Sequence, residues 1–296
     1  VVWDDHEVAN DNWREGAENH TEGKEGAFLD RRKAAMQAYF EWMPVRATNP
    51  SEQGHLYRSL TFGDLVELTM MDLRTYRDEQ VRFGPHKMAA EGRTMLGSEQ
   101  YNWLLNKIET SSAKWNMLGN SVMFSPMNLA TLQKDDKTKP VSSSLSSNIT
   151  GIPVNGDQWD GYSAERRLLI DALSKHDAHT LFVTGDIHSE WAHNISKDGR
   201  IFGAELVCAS VSAPNVNEQL KLPEGNELSK LAERYLLGAN PHTRHVDLDH
   251  HGYSFVTVRP DSAEMHWLRV DNLLSAKSPV REAVTMTWRP GKGYTK

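Results

Sequence analysis

Two clusters of ionisable side chains each follow a short apolar segment, the position where open α/β sheets place their ligands. The first cluster is Asp4-Asp5-His6-Glu7, directly after Val1-Val2-Trp3. Four consecutive ionisable residues are costly to order unless a cation balances their charge. Carboxylate oxygens and imidazole nitrogens are suitable ligands for divalent or ferric ions. The cluster alone leaves two interpretations open, a metal or catalytic site and a solvated turn between a strand and a loop.

The second cluster is Gly185-Asp186-Ile187-His188, which follows the apolar stretch at residues 180–184. Asp186 and His188 are two positions apart, so in an extended backbone their side chains project to the same side. Gly185 permits a tight turn that brings the backbone close to a ligand. The spacing indicates two metal ligands. The alternative is an Asp186 that bonds to its own turn and a His188 on the surface.

Residues 71–78 place two arginines at the end of another predicted strand. Arg74 and Arg77 could each bind a phosphoryl group through a bidentate guanidinium fork. The alternative is an ion-pair network with Asp72 and Asp78, which is favoured for Arg77. Arg74 is therefore the candidate phosphate ligand.

A weaker metal pattern lies further along the chain. His245, Asp247 and Asp249 alternate as the residues on one face of a strand do. Clusters of this composition are more often solvated loops, which is the favoured interpretation here.

These candidates need a scaffold, and hydrophobic periodicity supplies one. The pattern predicts helices over residues 27–42, 99–108, 163–173 and 228–237. It predicts strands over residues 56–62, 65–73, 115–124, 180–184, 201–211, 253–258, 263–270 and 283–288. Strands alternating with helices, followed by a run of strands, are typical of a mixed α/β sandwich. Residues 127–158 are predicted to be a loop insertion or lid.

Composition excludes several classes of protein. The chain of 296 residues has a net charge of -7 and no basic block, so it lacks the electrostatic footprint of a nucleic-acid-binding protein. No apolar run approaches the ~18 residues of a membrane span. Cys208 is the single cysteine, which excludes an intrachain disulfide and a cysteine-based zinc cluster.

Seven segments, spread in order over most of the chain, resemble the PhoD-like alkaline phosphatases, also called alkaline phosphatase D, within the calcineurin-like metallophosphoesterases. They are WDDHEVANDNW at residues 3–13, RRKAAMQAYFEWMPVR at 31–46, MDLRTYRDEQ at 71–80, WNMLGNSVMF at 115–124, WDGY at 159–162, VTGDIHSEWAHNI at 183–195 and FGAELVCASVSAPN at 202–215. The resemblance implies a four-layer αββα sandwich with a metal centre at the strand ends.

The resemblance also implies roles for individual residues. Asp-Asp-His-Glu stands where the superfamily has Gly-Asn-His-Asp/Glu, which implies that Asp5 is a metal ligand and His6 the catalytic histidine. Asp186 and His188 are implied as further ligands. The family resemblance implies Fe³⁺ and Ca²⁺ as cofactors. It also implies export by the twin-arginine route to the periplasm or the cell exterior.

The family's earlier motifs, which give a bridging Asp, a Tyr and a Cys to the iron site, are expected before Trp3. The resemblance therefore implies a catalytic domain that is incomplete at its N-terminus over residues 1–296. We expect an unpaired edge in the sheet to which Trp3 and residues 180–184 belong. We also expect this chain alone to be inactive and poorly soluble.

The predicted function is hydrolysis of phosphate esters, of alkaline phosphomonoesterase or phosphodiesterase type. Metal-activated hydroxide would attack phosphorus in line, and His6 would protonate the leaving oxygen. The alternative is a degenerate, non-catalytic homologue that acts as a binding protein. Retention of Asp5, His6, Asp186 and His188 argues against it, because a merely structural descendant does not need those charges.

Overall fold

The computed structural model describes residues 1–47, 54–81, 84–131, 151–153 and 155–295. The helices are α1 (Glu22–Glu25), α2 (Phe28–Trp42), α3 (Pro85–Met88), α4 (Gly97–Thr110), α5 (Ser163–Lys175), α6 (Val216–Gln219) and α7 (Glu227–Ala239), with a 3₁₀ turn at Trp159–Tyr162. The strands are β1 (Arg58–Phe62), β2 (Val66–Met70), β3 (Trp115–Gly119), β4 (Asn128–Thr131), β5 (Gly151–Pro153), β6 (His179–Thr184), β7 (Glu190–Lys197), β8 (Arg200–Val207), β9 (Thr243–Asp247), β10 (Gly252–Arg259), β11 (Ser262–Val270), β12 (Val280–Arg289) and β13 (Gly293–Thr295).

Seven strands form the main sheet in the order β1-β2-β3-β6-β8-β7-β9. The four strands β2, β3, β6 and β8 run parallel to one another, whereas β1, β7 and β9 are antiparallel to their neighbours. The carboxyl ends of the four parallel strands therefore meet at one edge of the sheet. Loops that follow these ends are brought together there, which is the usual place for a site in an α/β fold.

Both faces of the main sheet are covered, which explains the continuous apolar sequence of β6. On one face, Leu104 of α4 and Leu169 of α5 join a buried cluster with Phe182. On the other face, β10–β13 form a second sheet whose Trp267 and Trp288 are fully buried. The predicted α/β sandwich is confirmed. Within the described residues its layers are helices, the seven-stranded sheet and the four-stranded sheet.

The expectation that Trp3 belongs to the sheet is wrong. Trp3 is not in a strand; its indole is buried and donates a hydrogen bond to Asp72 Oδ1 at 3.0 Å. Residues 180–184 lie in β6, at the centre of the sheet between β3 and β8. The outer strands of this sheet are β1 and β9. Trp3 anchors a loop to the core. Hydrophobic periodicity cannot distinguish such a buried anchor from the end of a short strand.

Several predicted strands are shorter in the structure than in the sequence pattern. β2, β3 and β8 end at Met70, Gly119 and Val207 instead of at residues 73, 124 and 211. The apolar residues that follow these strands lie in loops. The predicted loop at residues 127–158 contains the antiparallel pair β4 and β5 at its described ends. Residues 132–150 and 154 lie outside the described part of the chain.

Candidate metal centre

Three carboxylates converge beyond the carboxyl ends of the parallel strands. Asp186 follows β6, whereas Asp4 and Asp5 come from the N-terminal segment that Trp3 anchors. One oxygen from each lies within 4.8 Å of the others. Hard carboxylate oxygens at this spacing suit Ca²⁺ and ferric iron. The donor set therefore fits a cation.

The structure brings the predicted ligands Asp5 and Asp186 together and adds Asp4, which sequence reasoning missed. Asp5 is buried, and its Oδ2 accepts a hydrogen bond from the Asp11 amide at 2.8 Å. The adjacency of Asp4 to Asp5 was the available signal. Consecutive side chains usually point apart, however, and only the fold of the loop turns both carboxylates toward Asp186.

Asp186 and His188 do not lie in extended backbone, so the predicted reason for their common projection is wrong. Their φ angles are 67° and 50°, in the left-handed region that few non-glycine residues occupy. Such conformations cluster at functional sites, where surrounding structure holds them. Both residues nevertheless border the same cavity.

The ring of His188 has a defined orientation. Its Nδ1 lies 3.0 Å from the carbonyl oxygen of Pro214, which can only accept, so Nδ1 carries the proton. In the neutral ring, Nε2 then has the lone pair. Metal-binding histidines commonly donate their other ring N–H to a backbone carbonyl in this way. His188 stands outside the group of three carboxylates but has the tautomer that a ligand needs.

A cavity of about 660 Å³ opens over the carboxylates. His6 lies on its border with a side chain that is 75% exposed, and its Nε2 is 4.0 Å from Asp5 Oδ2. Most of the residues that line it are polar or charged, and the full lining is Asp4, Asp5, His6, Glu7, Asn10, Asp11, Asn155, Asp157, Gln158, Gly185, Asp186, Ile187, His188, Cys208, Ala209, Ser210, Val216 and Gln219. All four residues predicted as ligands or catalyst therefore face one space.

Arg74 is placed differently from its predicted role as a phosphate ligand. Its guanidinium is fully buried beneath the carboxylates and is absent from the lining of this cavity. Nε donates to Asp4 Oδ1 at 2.6 Å, and Nη2 donates to Asp186 Oδ1 at 2.8 Å. The structure does not bring Arg74 to the surface on which a substrate would rest.

Arg77 takes part in an ion pair, as predicted, but with another partner. Its Nη2 donates to Asp157 Oδ1 at 2.6 Å, whereas Asp78 pairs with Arg14 at 3.2 Å. Asp157 also accepts from Arg74 and escaped sequence reasoning. It lies more than 70 positions from both arginines, so no local pattern could reveal the contact.

The pKa values of the aspartates in the cluster are shifted in opposite directions. Burial raises the pKa of Asp4, but the charge and hydrogen bond of Arg74 outweigh it and lower the pKa to about 2. Burial, supported by the nearby charges of Asp4 and Asp157, raises the pKa of Asp186 well above its usual range despite Arg74. Burial also raises the pKa of Asp11 to about 6, with the charge of Asp157 contributing. The cluster has more negative charge than its arginines balance, as expected of a cation site.

The weaker metal pattern of His245, Asp247 and Asp249 forms a network of ion pairs and hydrogen bonds instead. His245 Nε2 is 3.1 Å from Glu190 Oε2, and Asp247 pairs with Arg269 Nη2 at 2.9 Å. Asp249 Oδ2 accepts from the Gly225 amide. Asp247 and Asp249 are buried, so the favoured interpretation of a solvated loop is wrong. In the part of the chain that the structure describes, only Asp4, Asp5 and Asp186 form a group with metal-ligand spacing.

The chain is similar to known phosphatases in sequence and in fold. The sequence model of the PhoD-like phosphatases matches residues 1–267. Alkaline phosphatase D of Bacillus subtilis (strain 168) is 35% identical over 276 residues, which cover 88% of this chain and 42% of that protein. A solved structure of PhoD matches with a TM-score of 0.80 and 26% identity, covering 100% of this chain and 54% of that one.

The chain has the fold of that solved structure of PhoD. The chain belongs to the PhoD-like phosphatase family. It spans about half the length of the relatives it matches. Among the described residues, no helix is both long and apolar enough to cross a membrane.

Proposed function

We propose that the protein is a metal-dependent phosphate-ester hydrolase of the alkaline phosphomonoesterase or phosphodiesterase type. Membership of the PhoD-like phosphatase family supports the reaction class. The observation that carries the proposal is the convergence of Asp4, Asp5 and Asp186 to within 4.8 Å on the lining of one cavity. Such a cluster can bind a cation, and phosphate esters are anions that a bound cation can attract.

In this proposal Asp5 and Asp186 hold the cation site, with Asp4 as an added candidate and His188 as a ligand through Nε2. Fe³⁺ and Ca²⁺ remain the cofactors expected from the family resemblance, and the carboxylate oxygens suit both. When bound, such cations supply Lewis acidity that lowers the pKa of water and balances the charge of the phosphoryl oxygens.

Other residues at or near the cavity position the candidate ligands or donate a proton to the substrate. Gln158 donates from its amide to Asp186 Oδ2 and accepts from the Met123 amide, so it fixes one oxygen of that carboxylate. Pro214 orients His188. His6 is exposed at the border of the cavity, where its imidazole is free to deliver a proton to the leaving oxygen of an ester.

The proposal extends to regions that the structure does not describe. Further ligands in a segment before Val1 and export by the twin-arginine route both belong to it. They rest on the family resemblance alone. A comparison of iron and calcium content between the chain of residues 1–296 and the full-length protein tests the first of these.

The direct test uses an aryl phosphate monoester and an aryl phosphate diester as substrates of the full-length protein. Asp5→Asn and Asp186→Asn should each lower kcat/KM by roughly 100-fold or more, since even partners of metal ligands contribute 10- to 100-fold. Asp198→Asn is the matched control, because Asp198 is exposed in the turn between β7 and β8. Hydrolysis that survives both ligand substitutions would refute the proposed site. Bound metal without any hydrolysis in the wild type would favour the binding-protein alternative.

A further inference from the structure

Arg74 contacts more aspartates than any other basic side chain described near the cavity. Nε bonds Asp4 Oδ1, Nη2 bonds Asp186 Oδ1, and Nη1 bonds both oxygens of Asp157 at 3.1 and 3.0 Å. Nη2 also lies 3.9 Å from Asp5 Oδ1. The planar fork thus spans all three carboxylates of the candidate cation site and one carboxylate outside it.

The position of Arg74 is also fixed by Asp157, a carboxylate outside the group of three. Asp157, which grips Nη1, is itself held by Arg77 through its carboxylate at 2.6 Å and its backbone carbonyl at 2.9 Å. Arg77 is fully buried, and its Nε donates to the carbonyl of Asn12 at 2.8 Å. Arg77, Asp157 and Arg74 form a chain of charged contacts that ends on Asp4 and Asp186.

The four aspartates around these two arginines carry more negative charge than the arginines balance, so the carboxylates repel one another. A guanidinium presents its donors in fixed directions within one plane, which lets it bind several carboxylates at set angles. A lysine ammonium is a single point charge on a flexible stem and cannot reproduce that arrangement. Both the charge and the planar shape of the Arg74 guanidinium therefore affect the positions of the Asp4 and Asp186 carboxylates.

We propose that Arg74 is a positioning residue that holds Asp4 and Asp186 at the spacing a cation requires, and that it does not contact the phosphoryl group. The inference rests on the cation site of the proposed function. It differs from the phosphate contact predicted from sequence, because the guanidinium is fully buried and its bonds go to aspartates. It also differs from simple charge competition, in which the guanidinium would only weaken cation binding.

The test measures Ca²⁺ binding to the full-length protein by calorimetry, after treatment with a chelator and without substrate. Arg74→Lys preserves the charge but not the fork, and we expect it to weaken Ca²⁺ affinity roughly 10-fold or more. Arg74→Gln should weaken it as well. Arg77→Lys should produce a smaller loss in the same direction, because it acts through Asp157. Arg93→Lys is the control and should bind as the wild type does, since Arg93 bonds the carbonyls of Gly161 and Glu79.

Several results would overturn the inference. Tighter Ca²⁺ binding by Arg74→Gln would establish charge competition, and wild-type affinity in Arg74→Lys would show that the fork is irrelevant. If the Arg74 variants keep the Ca²⁺ affinity of the wild type but are inhibited more weakly by inorganic phosphate at saturating Ca²⁺, Arg74 contacts phosphate instead. Absence of Ca²⁺ binding by the wild type would also refute the inference. Thermal unfolding of each variant checks its fold, and Arg74→Lys and Arg77→Lys carry the test if Arg74→Gln does not fold.

The proposed function and this inference can fail separately. A wild type that binds Ca²⁺ but hydrolyses no ester would refute the function while the binding data still decide the role of Arg74. Conversely, a fully active Arg74→Lys variant with unchanged Ca²⁺ affinity would refute the positioning role alone.

Discussion

At the scale of single residues, the candidate centre depends on groups that carry no chemistry of their own. Trp3 ties the Asp4-Asp5 segment to Asp72, Gln158 fixes Asp186, and Pro214 orients His188. The ligands could be predicted because their residue types and sequence context suit a cation. Their supports could not, because each contact joins positions that are distant in sequence and have no pattern in common.

His6 provides the first prediction at this scale. His6→Ala should keep its bound metal but lose turnover, because the imidazole is exposed at the border of the cavity rather than held among the carboxylates. The loss should grow as the pKa of the leaving group rises, since a general acid matters more for poor leaving groups. The measurement is kcat/KM for a series of aryl and alkyl phosphates.

His86→Ala is the control for His6, because His86 is exposed on α3, outside the cavity lining. It should leave the whole series unchanged. An equal loss for good and poor leaving groups in His6→Ala would show that His6 binds metal or positions substrate. The role of general acid would then be excluded.

At the scale of elements, sequence patterns located the elements better than their ends. The predicted helix at residues 163–173 is α5, and the continuous apolar run at 180–184 lies in β6. The predicted strand at 201–211 ends four residues early at Val207, because Cys208, Ala209 and Ser210 turn to line the cavity. β7 was missed because its residues follow no strict alternation. β9 was missed because the alternation of His245 and Asp247 was interpreted as a solvated loop.

Two glycines give a matched prediction on the elements. In β10, a Cβ on Gly252 would lie 1.8 Å from the carbonyl oxygen of Leu268, so Gly252→Ala must force β10 away from β11. We expect a loss of about 2 kcal/mol in the free energy of unfolding, as for other overpacked sites. In α7, Gly238 has open space, and Gly238→Ala should raise stability by up to about 1 kcal/mol.

Urea unfolding of both glycine variants provides the measurement. The opposite signs matter, because a general sensitivity of the protein to alanine would lower both values. A Gly252→Ala variant as stable as the wild type would show that the two strands of the second sheet are not packed as described.

At the scale of the whole molecule, a charged network joins the two sheets. Arg269 of β11 pairs with Glu190 of β7 at 2.7 Å and with Asp247 of β9 at 2.9 Å. His250 bonds the Asp247 carboxylate at 2.8 Å and Glu224 at 3.2 Å. The hydrogen bond to Asp247 raises the pKa of His250 above its usual value despite burial and Arg269. Protonated His250 therefore stabilises the folded state.

The sign of the pH effect follows from the raised pKa of His250. Its contribution is complete below the ordinary pKa of 6.5 and is lost as the pH rises through the raised value. We expect His250→Gln to lower the free energy of unfolding by about 2 kcal/mol at mildly acidic pH, a typical value for a charge-assisted hydrogen bond. The difference from the wild type should shrink as the pH becomes alkaline.

Denaturant unfolding of wild type and His250→Gln across this pH range tests the network, with His86→Gln as the exposed control. Asp247 remains charged throughout, because the hydrogen bond and charge of His250 and the charge of Arg269 lower its pKa despite burial. A difference that grows with pH would contradict the assignment of a raised pKa to His250.

In the proposed function, Asp4, Asp5 and Asp186 hold the cation that phosphate-ester hydrolysis needs. The most direct measurement follows aryl phosphate hydrolysis and bound metal together in the full-length protein, while a chelator removes the cations and iron and calcium are then restored. We expect activity to fall and return in proportion to bound metal, and we expect the Asp186→Asn variant neither to bind metal nor to recover activity. Activity that persists after the metal has been removed would contradict it.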